Sequence, residues 1–236
     1  MLPAAAARHP HLAEPRPEGT VRVDMHMHTM WSGDAATTPE ELVTAVEETG
    51  IDVLCITDHG TTNGALQLAG RLPCRVVVGQ EVRTWAGEII GLFLTERLPH
   101  GLKPEEAAVA IAAQGGLVYV PHPFDPMRAC LKESVLADLA TDGLLDAVEV
   151  LNAKTSLSHL NERAGVFAAD HGLAAGAGSD AHEPSAIGAA YVEMPDFSDA
   201  GSFLEALRSP SARVVGHHYD RPREWRARIV PSTKAT

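Results

Sequence analysis

Val21-Arg22-Val23-Asp24-Met25-His26-Met27-His28 decides how the rest of the chain is read. Branched residues followed by alternation mark a short strand, and it ends in two histidines spaced i, i+2. Successive strand side chains point to opposite faces, so His26 and His28 project on the same side, one step apart. Two neutral imidazoles side by side at a strand end are poor core material and good ligands for a transition metal. Alone, His-x-His is a weak signal, since most His pairs are surface accidents. Four later segments end the same way, and that repetition lifts it.

Outward from this strand, Thr38-Pro39-Glu40-Glu41 opens a helix, with Thr38 as N-cap and Glu41 closing a capping box. Leu42, Val43 and Val46 recur at helical spacing until Gly50 stops it. Residues 51–57 form a nearly continuous apolar run, as in a strand buried on both faces, and deliver Asp58-His59. A short helix is expected over residues 65–72. Residues 76–81 are the third strand and deliver Glu81, with a further strand over 88–94 pairing as a hairpin across Ala86-Gly87. Lys103-Pro104-Glu105-Glu106 starts a helix that ends at Gln114, and residues 117–120 then deliver His122 between Pro121 and Pro123. After a helix at 133–140, a strand at 146–151 delivers Asn152. Next come a helix at 158–171 and a strand at 173–177 that delivers Gly178-Ser179-Asp180-Ala181-His182. A last short strand at 191–194 and a helix at 202–208 follow, and the His-, Arg- and Trp-rich tail from Val214 has no place in the pattern.

Strand, loop and helix repeat six or seven times without a break, which argues for a parallel α/β domain. The polar residues gather where strands end and loops begin, the edge at which barrels and open α/β sheets put their sites. No glycine fingerprint opens a helix, so nothing supports a dinucleotide fold. A chain of 236 residues suits one domain of this kind. Residues 1–20, rich in Ala and Pro and without periodicity, are expected to form a flexible tail.

Composition narrows the function further. A net charge of −12 disfavours long nucleic acid, which calls for clustered Lys and Arg. A small anionic substrate stays open, because bound metal ions dominate a local field. Cys55, Cys74 and Cys130 are too scattered for a disulfide framework, and Cys55 reads as a small buried thiol. With no apolar run long enough for a bilayer and no basic start to a leader, the expected location is the cytoplasm. Oligomeric state is not encoded in any of these features.

Collected from strand ends and their loops, the set is His26, His28, Asp34, His59, Glu81, His122, Asp180 and His182. Five imidazoles and three carboxylates at converging positions are hard to explain as packing, because a core tolerates carboxylates only when paired or on metal. Mixed N and O donors suit Zn, Mn or Fe, and eight groups are too many for one tetrahedral ion. Two or three divalent ions fit, with a carboxylate bridging.

These residues carry a resemblance. Asp24-Met25-His26-Met27-His28-Thr29, Ile56-Thr57-Asp58-His59, Val120-Pro121-His122-Pro123 and Gly178-Ser179-Asp180-Ala181-His182, in that order, resemble the four motifs of the PHP (polymerase and histidinol phosphatase) metal-dependent phosphoesterases. Gly79-Gln80-Glu81 is similar to the segment carrying that family's bridging glutamate. The resemblance runs from about Val21 to Phe203 and implies a distorted (β/α)7 barrel with its metal site at the carboxyl end of the strands. Residues 21–236 are accordingly expected to be one catalytic domain. The resemblance also implies a first metal on His26, His28, Glu81 and Asp180. A second would share Glu81 and take His122, with Asn152 standing where many relatives carry His. A third would take Asp34, His59 and His182.

Around this set, Asp24 and Asp58 are read as groups that orient imidazoles or cap loops, and Asp58 is carried with Lys154 as a candidate catalytic residue. Lys154 lies two beyond Asn152, so a continuing strand turns it to the same side as a clamp for phosphate; Arg83 and Arg128 are weaker candidates. Trp31 and Phe124 are read as wall packing, and His9, His11, His100, His159, His171, His217 and His218 as structural or surface residues. The expected activity is hydrolysis of a phosphate ester of a small molecule or nucleotide by a metal-activated water. The alternatives are an amidohydrolase-like cleavage of a C–N or C–O bond, a short-oligonucleotide exonuclease, and a non-catalytic metal-stabilised module.

Overall fold

In the computed structural model, which describes residues 4–218, the chain runs α1 (Ala4–Arg8), β1 (Thr20–Met27), α2 (Pro39–Thr49), β2 (Val53–Ile56), α3 (Asn63–Leu68), β3 (Arg75–Thr84) and β4 (Gly87–Leu92). It continues α4 (Pro104–Ala113), β5 (Leu117–Val120), α5 (Glu133–Thr141), β6 (Ala147–Asn152), α6 (Ser158–Asp170), β7 (Ala174–Gly178), β8 (Ala190–Pro195), α7 (Ala200–Leu207) and β9 (Arg213–Gly216). One sheet holds the strands in the order β7-β6-β5-β4-β3-β2-β1-β8-β9. It curls until its β7 end meets β1, as a nearly closed barrel.

The meeting point is also where the site lies. Asp180 N–H donates to His26 O at 2.7 Å, His28 N–H to Ala181 O at 2.9 Å, and Ser179 N–H to the Asp24 carboxylate at 2.9 Å. So close an approach demands glycine at 178, where a Cβ would stand 2.4 Å from that of His26. Asp180 (φ +48°) and His122 (φ +29°) both hold left-handed backbone at their strand ends. Such strain costs on the order of 1–3 kcal/mol each and persists where the surroundings over-determine it.

Alternate residues from β1 to β8 fill the barrel: Val23, Met25, Val53, Cys55, Ile90, Tyr119, Ala177 and Val192 share one buried cluster, plugged by Phe203 of α7. Residues of the opposite parity, Leu54 and Ile56 on one side and Val82 and Val118 on the other, pack outward under α2, α3, α4 and α5. That division is the period-2 pattern of a strand read from both faces. Helix α2 starts as its sequence dictates, with Thr38 and Glu41 closing a capping box and Gly50 in the left-handed conformation at its end.

Three expectations are corrected. The sheet is not wholly parallel: beyond the expected hairpin of β3 and β4, β4 also pairs antiparallel with β5, while β8 pairs so with β1 and β9. The two-residue connection after Thr84 can only reverse the chain. Residues 4–13 are not a loose tail, since a four-alanine run is good helix material. Ala5 and Leu12 bury completely against Leu42, Val46 and Tyr191, and His9 Nε2 bonds Ser185 O at 2.9 Å. From Val214 the chain completes β9; the rest of that tail, from residue 219, lies outside the described residues. Among the described residues no helix is long and apolar enough to cross a membrane.

Candidate metal centre

Strand β1 ends with His26 and His28 aimed at one point, their Nε2 atoms 3.1 Å apart and both rings fully buried. Glu81 Oε2, from β3, lies 3.5 Å from His26 Nε2 and 3.3 Å from His28 Nε2. Asp180 Oδ1 faces the same two atoms at 3.9 and 3.5 Å, buried and without a hydrogen-bond partner. Glu81 divides its carboxylate, with Oε1 3.1 Å from His122 Nε2 and Oε2 3.1 Å from His59 Nδ1. At the outer edge, Asp34 Oδ2 lies 3.2 Å from His59 Nε2 and 3.3 Å from His182 Nε2. The Asp34 side chain is 52% exposed, so this edge opens to solvent.

Tautomers are set from behind. Glu149 takes the Nδ1 side of His26 at 3.2 Å, and Ser32 Oγ takes that of His28 at 3.1 Å. Glu149 only accepts, so His26 turns its Nε2 lone pair toward His28 Nε2, and a cation between the two nitrogens suits that arrangement. Without one, a proton serves. Burial alone would lower His26, but the Glu149 and Glu81 carboxylates outweigh it and push it up to about 10. Burial holds His28 down at about 4, and burial together with His28 holds His182 well below the usual histidine range. Glu81, despite its burial, is driven well below the carboxylate range by His26, His122 and His28. Buried acid in excess, facing nitrogen lone pairs and an orphaned carboxylate oxygen, fits divalent ions. Among the described residues, four sets have ligand atoms within 4.8 Å of one another: His26–His28–Asp180, His26–Glu81–His122, His28–His59–His182 and His59–Glu81–Glu88.

All eight residues collected from the strand ends thus meet in one cluster. Asn152 departs from its expected role. Its amide oxygen accepts from Lys154 N–H at 2.8 Å, while Nδ2 donates to Glu149 at 2.9 Å and Asp180 at 3.3 Å. With two carboxylates on one side and a donor on the other, the amide is fixed with its oxygen committed to the Lys154 N–H. Asp58, carried as a candidate catalytic residue, is instead a loop cap: its two oxygens accept from Thr29 N–H and Thr29 Oγ1, each at 2.6 Å. Asp24 accepts from the backbone of Ser179 and His26. Lys154 does reach the centre, with Nζ 2.9 Å from His182 Nδ1 and 3.6 Å from Asp180 Oδ1, and Arg128 binds Asp180 Oδ2. Arg83 pairs with Glu88. Phe124 is wall, stacked edge-on against Phe167 under the Arg163 guanidinium, and Trp31 packs against the core beside Gly64 of α3.

Two residues escaped the sequence reading. Glu149 is fully buried and binds His26 Nδ1, His122 N–H and the Asn152 amide. Glu88, 3% exposed, lies 3.8 Å from both His59 Nδ1 and His122 Nε2. Each is a lone acid inside an apolar strand run, which is the signal that marks it.

The PHP domain family model matches residues 24–111, and the PHP-associated model matches residues 158–211. An uncharacterized protein of Methanocaldococcus jannaschii is 40% identical over 146 residues, covering 56% of this chain and 82% of its own. A second from the same organism is 32% identical over 199 residues, covering 80% and 79%. Among solved structures, a two-domain protein of Bacteroides vulgatus containing a predicted PHP-like metal-dependent phosphoesterase superposes with a TM-score of 0.68 at 20% identity, over 86% of this chain and 67% of that one. The lesion-specific endonuclease of Pyrococcus furiosus does so with a TM-score of 0.60 at 14% identity, over 83% and 57%. With its strand-end motifs, its barrel and these matches, the chain belongs to the PHP domain family.

Proposed function

We propose that this chain is a metal-dependent phosphoesterase that hydrolyses the phosphate ester of a small molecule, working with two to three divalent ions of the Mn, Zn or Fe kind. The observation that carries the reading is Glu81, whose two oxygens divide between the His122 and His59 sides of one buried cluster. His26, His28, Glu81 and Asp180 would hold one ion, and Asp34, His59 and His182 another. At the second position Glu81 and His122 remain, and Glu88 takes the place that Asn152 leaves. When bound, such ions supply an acidified water and neutralise phosphoryl charge.

The chain's own groups do the rest. Lys154 and Arg128 bring cations to Asp180 at the rim, where a phosphoryl oxygen enters. Glu149 and Ser32 keep His26 and His28 in the ligating tautomer, and Asp58 holds the Thr29 turn that follows them. Hydrolysis forms an O–P bond from water and breaks the P–O bond to the leaving oxygen, which takes up a proton. Phosphoryl transfer depends on positioning and charge neutralisation more than on a covalent nucleophile. Ser32, which touches the cluster, is committed to His28 Nδ1 and His59 N–H.

The test is an assay of the metal-loaded protein against phosphomonoesters, phosphodiesters and amides, repeated after chelation. Phosphomonoester turnover that disappears with the metal supports the reading. Cleavage of amides alone, or full activity after chelation, overturns it.

A further inference from the structure

Glu81 is the start of a line of side chains that the metal centre does not use. β3 and β4 pair with Glu81 opposite Ile90, Arg83 opposite Glu88 and Thr84 opposite Gly87. Odd-numbered residues of β3 therefore share the face of Glu81, while Val82 and Thr84 are buried on the other. Two steps on, Arg83 bonds Glu88, which itself looks onto His59 and His122. Two steps further, just past the last rung, is Trp85. Its Cα lies about 13 Å along the strand from that of Glu81.

Trp85 is 68% exposed, the largest and the most exposed of the large apolar side chains among the described residues. Its backbone is nevertheless well held. Trp85 N–H donates to Leu102 O at 3.2 Å, and Glu88 N–H, just across the turn, donates to Ala129 O at 2.8 Å. Gly87 sits directly on the Cys130–Leu131 backbone, with room for no side chain. The hairpin tip is thereby docked on the loop that supplies Arg128, and that loop carries a second exposed apolar residue, Met127. A tethered tip that presents a bare indole beyond a cationic side chain, beside the loop that brings Arg128 to Asp180, is built to meet something flat.

We propose that Trp85 is a specificity-determining residue that stacks on an aromatic ring carried by the leaving group of the phosphate ester, as in a nucleoside monophosphate, with Arg83 beside the linker. The proposal rests on the phosphoesterase reading for the position of the phosphate. Stacking a base on an aromatic side chain is worth enough that alanine substitution lowers binding by ~5- to 100-fold.

The experiment compares adenosine 5′-monophosphate with ribose 5-phosphate, the same ester without its ring, on metal-loaded wild type, Trp85→Ala and Trp85→Phe. Trp85→Ala is expected to lower kcat/KM for the nucleotide ~5- to 100-fold, chiefly through KM, and to leave ribose 5-phosphate unchanged. Trp85→Phe, which keeps a ring, should recover most of the loss. Equal losses on both esters, no loss on the nucleotide, or a wild-type preference for ribose 5-phosphate overturns the proposal. Indole fluorescence gives a separate readout: the nucleotide should quench wild type and spare Trp85→Phe. If wild type hydrolyses neither ester, the wider ester and amide panel decides the phosphoesterase reading, and the quench alone decides the ring site: its presence upholds Trp85 and its absence refutes it.

Discussion

The Glu149 carboxylate accepts from His26 Nδ1 at 3.2 Å, joining β6 to β1 across the barrel. The same carboxylate accepts from His122 N–H at 2.6 Å, so one acid behind the cluster orients ligands of two candidate ions. Glu149→Gln can still receive one of these donors but loses the charge that selects the His26 tautomer. Partners of this kind are typically worth 10- to 100-fold in metal affinity or activity, so a loss of about that size is expected. Titration with Mn or Zn under competition from a chelator measures it. Unchanged affinity in Glu149→Gln would show that the His26 ring is held without the acid.

Glu88 leads to a statement about stoichiometry. If its carboxylate completes the position that the committed Asn152 amide leaves open, Glu88→Gln should lose one equivalent of metal while the ion on His26, His28, Glu81 and Asp180 stays. Elemental analysis of protein purified under identical metal supply gives the count. Equal content in the two proteins would leave Glu88 as no more than a counter-charge for Arg83.

How far the site could be read beforehand follows from the range of the forces involved. His26, His28, His59, His122, Asp180 and His182 stand at strand ends, and strand ends are marked by local pattern: period-2 alternation, then a Pro, Gly or Asp that breaks it. Glu149 sits mid-strand and Glu88 at the start of β4, and what gives them meaning is a neighbour from another part of the chain, His26 in one case and His122 in the other. Nothing local identifies that neighbour. Asn152 was placed correctly at its strand end, yet the direction of its amide depends on Asp180, brought from beyond the next strand, as well as on the nearby Glu149 and Lys154 N–H. The Ala-rich start looked like a tail because its burial is supplied by Leu42, Val46 and Tyr191 rather than by its own periodicity. The short connection before β4 marked it as a hairpin partner of β3, whereas the antiparallel pairing of β8 with β1 and β9 is set only where the sheet curls.

Lys154 separates substrate binding from metal binding. Its Nζ is 2.9 Å from His182 Nδ1 and 3.6 Å from Asp180 Oδ1, so it borders the candidate ligands without belonging to them. A hydrogen bond to a charged group is worth about 1.5–3 kcal/mol. Lys154→Gln should therefore raise KM for a phosphomonoester about 10- to 100-fold with metal content unchanged. A matching drop in bound metal would reassign Lys154 to holding His182 and Asp180.

Away from the centre, His9 makes the stability of the protein depend on acid. Its ring is buried between the first segment of chain and the loop after His182, with Nε2 on Ser185 O at 2.9 Å and Nδ1 3.5 Å from His217 Nε2. Burial lowers its pKa to about 4, from 6.5 in the open chain, against the pull of the Ser185 carbonyl. The folded state thus binds this proton less tightly than the unfolded state does. The stability that His9 contributes is complete above pH ~6.5 and drains away as pH falls from there toward 4, by at most about 3 kcal/mol. By pH 5 roughly 2 kcal/mol of it should be gone. His11 and His217, both lowered by burial, act in the same direction. Urea midpoints of metal-free wild type and His9→Gln at pH 7.5 and pH 5 isolate the effect, since Gln does not titrate while acid losses at the metal centre are common to both proteins. Wild type should lose more stability over that interval than His9→Gln; parallel losses would mean that the imidazole protonates as readily folded as unfolded.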